Sequence, residues 1–248
     1  MNRTNMKIAR IATVPFFFYN HMRFQIVELA KSGHEITLIS SNGPEVEALR
    51  GIDGVRFVPI DIQRKISPLR DLISLWKLFF IFRKEKFDIV HTTTPKAGML
   101  GAVAAFLSGI PIRLHTFTGQ AWAEMVGVKR QFIKYADKLT FILNTRCYAD
   151  SFSQRDFIVQ QSVASRDKIN VIGDGSLAGV DLQRFTPKNQ NICPRQLLSE
   201  LNVPQGHRVI TFIGRITGDK GVKELIEAFR ALQTKNFPCS LLIIGPEE

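Results

Sequence analysis

Apolar and polar positions follow two rhythms along the chain, and the switch between them recurs. Lys7–Val14 is a short apolar run, the pattern of a strand buried on both faces. Met22, Ile26, Leu29 and Ala30 then share one helical face within His21–Lys31, and Ser32-Gly33 closes that helix. Glu35–Ser40 is the next strand, which completes a βαβ unit of the kind that builds helix-covered parallel sheets. The alternation predicts further strands at Val55–Ile60, Phe87–His91, Ile110–Thr116, Arg146–Asp150 and Lys168–Ile172. It predicts helices at Leu69–Phe82, Gly98–Leu107, Gln131–Leu143 and Ser153–Gln161. Residues 1–172 therefore read as a doubly wound α/β domain.

Gly173–Gly206 breaks the rhythm with a polar connection that holds one short helix near Arg195–Leu201. The rhythm restarts with a strand at Arg208–Ile213, a helix at Val222–Leu232 and a strand at Ser240–Ile244. One βαβ unit cannot cover both faces of its sheet. Residues 173–248 are therefore expected to be a linker and an incomplete second domain.

The helix at Leu69–Phe82 carries more apolar surface than one buried face needs. Leu69, Leu72, Ile73, Trp76, Phe79 and Phe80 form one stripe, expected to face the core. Leu75, Leu78 and Phe82 form a second. That second stripe is either buried as well or turned toward a membrane surface. Arg64, Lys65, Arg70, Lys77, Arg83, Lys84 and Lys86 flank it, against Asp71 and Glu85.

Composition narrows the class. The 248 residues are 45% hydrophobic and 22% charged, which is globular rather than disordered. The three cysteines Cys147, Cys193 and Cys239 are far apart and cannot all pair, which points to a reducing cytosolic compartment. No run of ~18 apolar residues is present, so no spanning helix is expected. The net charge of +11 predicts an anionic partner: a phosphorylated ligand, an anionic membrane or nucleic acid. Nucleic acid is not expected, because no zinc finger, aromatic RNA-binding motif or GXXG clamp accompanies the charge.

Two segments carry candidate chemistry. Gly214-Arg215-Ile216-Thr217-Gly218-Asp219-Lys220-Gly221 lies between a strand and a helix. Free N–H groups and the positive dipole end of a helix favour an anion there. Arg215 and Lys220 add full charges, and Gly214 and Gly221 let backbone approach closely, so a diphosphate suits the loop. A plain turn with solvated Arg and Lys fits the same spacing. The second segment is the pair of strand ends at His91-Thr92-Thr93-Thr94-Pro95-Lys96 and His115-Thr116-Phe117-Thr118-Gly119. Thr94 is placed to cap the helix that Pro95 begins. Lys96 opposes the dipole in that first turn, which would suit a ligand. Gly173-Asp174-Gly175-Ser176-Leu177-Ala178-Gly179 imitates a dinucleotide fingerprint but lacks the helix that such a site needs. The five histidines form no metal-binding pair, and no metal is expected.

Taken in order, several segments resemble the family-4 glycosyltransferases of the GT-B fold, bacterial surface-polysaccharide enzymes above all. They are Gly33-His34-Glu35, Asp88-Ile89-Val90-His91 with Thr94-Pro95-Lys96-Ala97-Gly98, and Thr116-Phe117-Thr118-Gly119-Gln120-Ala121-Trp122. Ala149-Asp150-Ser151, Gly179-Val180-Asp181 with Arg184-Phe185, and Phe212-Ile213-Gly214-Arg215 with Asp219-Lys220-Gly221 continue the match. The resemblance implies two Rossmann-like domains, the second truncated here. The first would hold a lipid-linked glycan acceptor and the second a nucleotide-sugar. It implies retention of configuration, no metal cofactor, and donor diphosphate bound by Arg215 and Lys220. His91, Thr94, Lys96, Thr116, Thr118 and Gly119 would fall on the acceptor side, with His115 and Thr118 nearest the chemistry. Two departures stand out. Thr118 replaces a histidine common in the family, and the E-x7-E motif that follows Gly245 in relatives is not in this sequence. The 248-residue chain alone is therefore expected to be inactive, and the intact protein to lie peripherally on the cytoplasmic face of the membrane. A non-catalytic lipid-binding module and a sugar-nucleotide epimerase of the same fold remain alternatives.

Overall fold

The computed structural model describes residues 5–63, 66–180, 182, 185–186 and 194–246. The chain forms two compact units, Met1–Gly179 and Val180–Glu248. The first runs β1 (Lys7–Ile11), α1 (Pro15–Phe17), a π-turn (Phe18–Met22), α2 (Arg23–Lys31), β2 (Glu35–Ser40), α3 (Val46–Arg50) and β3 (Val55–Pro59). It continues with α4 (Pro68–Glu85), β4 (Ile89–Thr93), α5 (Pro95–Leu107), β5 (Ile112–Phe117), α6 (Gly127–Leu143), β6 (Arg146–Ala149), α7 (Phe152–Gln160) and β7 (Ile169–Asn170).

The seven strands lie side by side in the order β3-β2-β1-β4-β5-β6-β7, and every pairing is parallel. The chain winds outward from β1 to β3, then returns to β4 beside β1. That reversal is where a doubly wound sheet opens its crevice, at the carboxyl ends of β1 and β4. Alternation along β1 sends Ile8 to one face, against Phe18, Met22 and Ile26. Ala9 and Ile11 go to the other, against Leu78, Phe82, Leu100 and Ala104. The sheet is thus covered on both sides, as parallel strands require. A third apolar cluster holds Trp122, Phe141, Ile158 and Ile169 at the β6–β7 end.

The second unit holds α8 (Pro194–Glu200), β8 (Arg208–Ile213), a 3-10 turn (Gly218–Lys220), α9 (Val222–Thr234) and β9 (Cys239–Ile244), with β8 and β9 parallel. It is the βαβ unit that the sequence predicts.

Several expectations are corrected. The stripes of α4 are exchanged: Leu78 and Phe82 are 0% and 1% exposed, whereas Leu69, Trp76 and Phe80 are 79%, 52% and 63% exposed. Of the larger stripe only Phe79 packs against the core, where Leu75 joins it. The line Leu75-Leu78-Phe82 wins because Ser74 beside it packs close, donating its hydroxyl to the Asp61 carbonyl at 2.7 Å. The first unit extends past residue 172 to Gly179, because Ser176 N–H donates to the Asp150 carbonyl at 2.6 Å and Leu177 packs on the α2 side. Helices α1 and α3 add to the predicted elements, and α6 starts at Gly127 rather than Gln131. Cys147 and Cys239 are buried free thiols. Arg64, Lys65, Asp181, Arg184 and Cys193 lie outside the described residues, as does the side chain of Asp219.

Candidate functional site

The crevice end of the first unit gathers the carboxyl ends of β1, β4, β5 and β6. Thr13 follows β1 and Thr94 follows β4, and their hydroxyls meet at 2.8 Å. Thr94 holds φ 69° and makes no side-chain cap, so it ties two strand ends together instead of capping α5. Pro95 does take the first helical position.

Strand alternation separates the two histidines. His91 and Thr116 point to the α2 side, where His91 Nε2 and the Thr116 hydroxyl are hydrogen-bonded at 2.8 Å. Burial, reinforced by the charge of Arg10, holds the His91 imidazole well below its usual range. His115 points to the α5 side and is hydrogen-bonded through Nδ1 to the Thr92 hydroxyl at 2.8 Å. Burial pulls its pKa down to about 3, so it is neutral near physiological pH. A Cβ at Gly98 would strike the His115 ring. His115 is therefore a packing residue under α5, not a cleft residue, which corrects the expectation from sequence. A lone histidine at a strand end gives no sign of the face it takes.

Lys96 is also reassigned. Its ammonium lies 2.6 Å from Asp71 Oδ1 of α4, with both side chains largely buried. The charge that opposes the α5 dipole is held by a carboxylate of the same unit. Thr118 and Gly119 remain at the mouth beyond β5, with Gly119 exposed.

Sequence reasoning passed over three polar groups. Arg10 is buried on β1, and burial lowers its pKa to about 10. Its Nη2 meets Met22 Sδ at 3.3 Å, and its Nε finds no partner among the described residues. Gln120 Nε2, beyond β5, and Asp150 Oδ1, beyond β6, are buried and equally unpartnered. Burial raises the Asp150 carboxyl. Gln120 and Asp150 sit within the matched segments, and their place at strand ends was the available signal.

In the second unit, Gly214 to Gly221 joins β8 to α9 as expected. Gly214 N–H donates to the Ile244 carbonyl at 2.9 Å, and Ile216 N–H to the Pro246 carbonyl at 2.9 Å, which fixes the loop against β9. Lys220 closes the 3-10 turn. Gly221 then starts the 13-residue α9 at φ 71°, a conformation that glycine adopts without strain. Gly214, Arg215, Lys220 and Gly221 thus share one strand-to-helix loop at a helix N-terminus. Among the described residues, no group of three His, Cys, Asp or Glu could hold a metal ion.

The profile of the glycosyl transferase 4-like domain matches residues 20–175. The chain belongs to the glycosyl transferase 4-like family. This family-4 chain is 34% identical over 246 residues to the capsular polysaccharide biosynthesis glycosyltransferase CapM of Staphylococcus aureus, covering 98% of the chain and 62% of CapM. It is 30% identical over 252 residues to an Escherichia coli UDP-Gal:alpha-D-GlcNAc-diphosphoundecaprenol alpha-1,3-galactosyltransferase, covering 97% of the chain. It spans 62% of that enzyme's length as well. A glycosyltransferase from Rickettsia africae superposes at a TM-score of 0.65 with 23% identity, covering 96% of the chain and 60% of the neighbour. The fold of this family-4 chain is GT-B, with Rossmann-like α/β architecture.

Proposed function

We propose that the protein transfers a sugar from a nucleotide-sugar to a lipid-linked glycan during synthesis of a surface polysaccharide. The observation that carries this reading is the Gly214–Gly221 loop of a family-4 chain, which holds Arg215 just after β8 and Lys220 next to Gly221, the N-cap of α9. Backbone N–H groups and two cations there suit the diphosphate of a donor. The same charges would stabilise the diphosphate as it departs, a task that otherwise falls to a metal, so the reading needs no cofactor. The family likeness supports retention of configuration at the transferred sugar.

The first unit would take the acceptor. Thr118 and Gly119 stand at its mouth, and His91, Thr94 and Thr116 form the hydroxyl and imidazole floor. The unpartnered Gln120 Nε2 and Asp150 Oδ1 offer a donor and an acceptor for sugar hydroxyls. The names of the two relatives, capsular polysaccharide and diphosphoundecaprenol, support a lipid-linked acceptor. No helix among the described residues is long and apolar enough to cross a membrane. Reaching such an acceptor then calls for peripheral association with the cytoplasmic face, which the net charge of +11 favours.

Donor kinetics of Arg215→Ala and Lys220→Ala in the full-length protein test the assignment. Losing a charged hydrogen bond of ~1.5–3 kcal/mol should cost about ten- to hundredfold in kcat/KM for the donor. Wild-type donor kinetics in both variants would remove these residues from the site.

A further inference from the structure

Helix α5 lies between α4 and α6, which flank it on one face of the sheet. It is rich in small residues, and Ala97, Gly98, Gly101, Ala102 and Ala104 are buried. The outer surfaces of its two neighbours are apolar. On α4, Leu69, Leu72, Ile73, Trp76 and Phe80 are exposed and fall within an arc of about 100°. From Leu69 to Phe80 the stripe spans twelve residues, eleven rises of about 1.5 Å or about 16 Å in all. On α6, Val128, Phe132, Tyr135, Leu139 and Ile142 form a similar stripe, with Phe132 64% and Tyr135 71% exposed. Exposed apolar surface of this extent marks a contact site rather than ordinary scatter.

The charges say which partner fits. Every acid of the two helices is engaged within the fold. Asp71 pairs with Lys96 at 2.6 Å, Glu85 with Arg56 at 3.1 Å, and Asp137 is buried and accepts from Trp122 at 2.7 Å. Six basic side chains are exposed, Arg70, Lys77, Arg83 and Lys84 on α4 and Lys129 and Lys138 on α6, while Arg130 and Lys134 turn back to Gln161 and the Trp122 ring. A second copy on this face would set six cations against six. An anionic surface would meet charge of the opposite sign and take up the apolar rings between.

We propose that the outer faces of α4 and α6 form a docking surface for an anionic lipid bilayer. Trp76, stacked on Phe80 at 5.9 Å, sits at the centre of the α4 stripe as the principal inserted ring. The proposal rests on the peripheral association proposed above and gives it a place in the fold.

The chain contains two tryptophans, and Trp122 is buried, so emission changes on lipid binding report Trp76. Phosphatidylcholine vesicles containing phosphatidylglycerol should shift the emission of the wild-type chain to the blue, and brominated lipid should quench it. Trp76→Phe should abolish both signals. In vesicle sedimentation, Leu72→Ser/Trp76→Ser/Phe80→Ser should lower the partition coefficient by at least about tenfold. Raising salt from 0.1 M to 1 M shortens the Debye length from about 10 Å to about 3 Å and should weaken binding further. Absence of binding to anionic vesicles would overturn both this face and the peripheral association. Binding with unshifted, unquenched emission, and with the triple variant unaffected, would overturn the face alone. A dimer that the triple substitution dissolves, with no lipid binding, would assign the face to a second copy. The fluorescence arm needs no substitution, so it decides even if a variant fails to fold.

Discussion

Replacing Asp137 by asparagine isolates the ionisation of one buried group beneath the loop that carries Thr118 and Gly119. Trp122 ends that loop in the core, fully buried, stacked on Phe157 at 5.4 Å and donating Nε1–H to Asp137 Oδ2 at 2.7 Å. Burial pushes the Asp137 carboxyl from 3.8 to about 6, and the Trp122 hydrogen bond offsets part of that rise. Between those values the folded protein holds a proton that the unfolded chain has released. The contribution of Asp137 to stability is therefore greatest below pH 3.8, falls as pH rises through the window, and levels off above about 6. A rise of roughly two units, at 1.36 kcal/mol each, makes the ionisation cost about 3 kcal/mol. The substituted amide would still offer a carbonyl to Trp122 and would carry no such cost. The stability gained by Asp137→Asn should thus grow by up to about 3 kcal/mol between pH 4 and pH 7. Urea unfolding of both proteins across that range, followed by tryptophan emission, measures it. His91 and His115, buried and neutral, pull the wild-type curve the opposite way, so the difference between the two proteins is the quantity to read. A difference that stays flat or shrinks as pH rises would refute the reasoning.

Three other outcomes are expected. Gly98→Ala should destabilise by about 1–3 kcal/mol in thermal or urea unfolding, because its methyl group meets the His115 ring, and Gly98→Ala/His115→Ser should recover part of the loss. Lys96→Ala should cost about 3 kcal/mol by stranding the largely buried Asp71, whereas Lys96→Met/Asp71→Leu should lie closer to wild type. The His115 imidazole should show no titration between pH 5 and 8 by NMR, since burial holds its pKa at about 3; a titration there would return it to solvent.

Strand and helix order was legible because parallel strands buried on both faces read as apolar runs, and six of the seven strands in the first sheet are longer than two residues. The orientation of α4 was not legible. Its two stripes are both apolar, and periodicity shows that faces exist without showing which one meets the sheet. Size favoured the stripe with Trp76, yet the narrower line of Leu75, Leu78 and Phe82 fits the sheet. A sequence clue was present in the sign of the charges: Asp71 and Glu85 fall on a different side of the helix from Lys77 and Lys84. At the candidate site, the Gly214–Gly221 loop could be placed because strand, glycines and helix are contiguous. The fate of Lys96 could not, because its partner Asp71 lies 25 positions earlier on another helix. His115 was misread for a related reason: a shift of one residue along β5 exchanges the α5 face for the α2 face.

Sugar transfer itself is the most direct test. The full-length protein would be incubated with single labelled nucleotide-sugars and a lipid extract that carries polyprenyl-diphosphate-linked glycans. The account predicts that one donor yields a labelled lipid-linked product together with one equivalent of free nucleoside diphosphate, and that Arg215→Ala and Lys220→Ala lower both equally. No labelled lipid with any donor, or conversion of a nucleotide-sugar to its epimer when no acceptor is present, would contradict it.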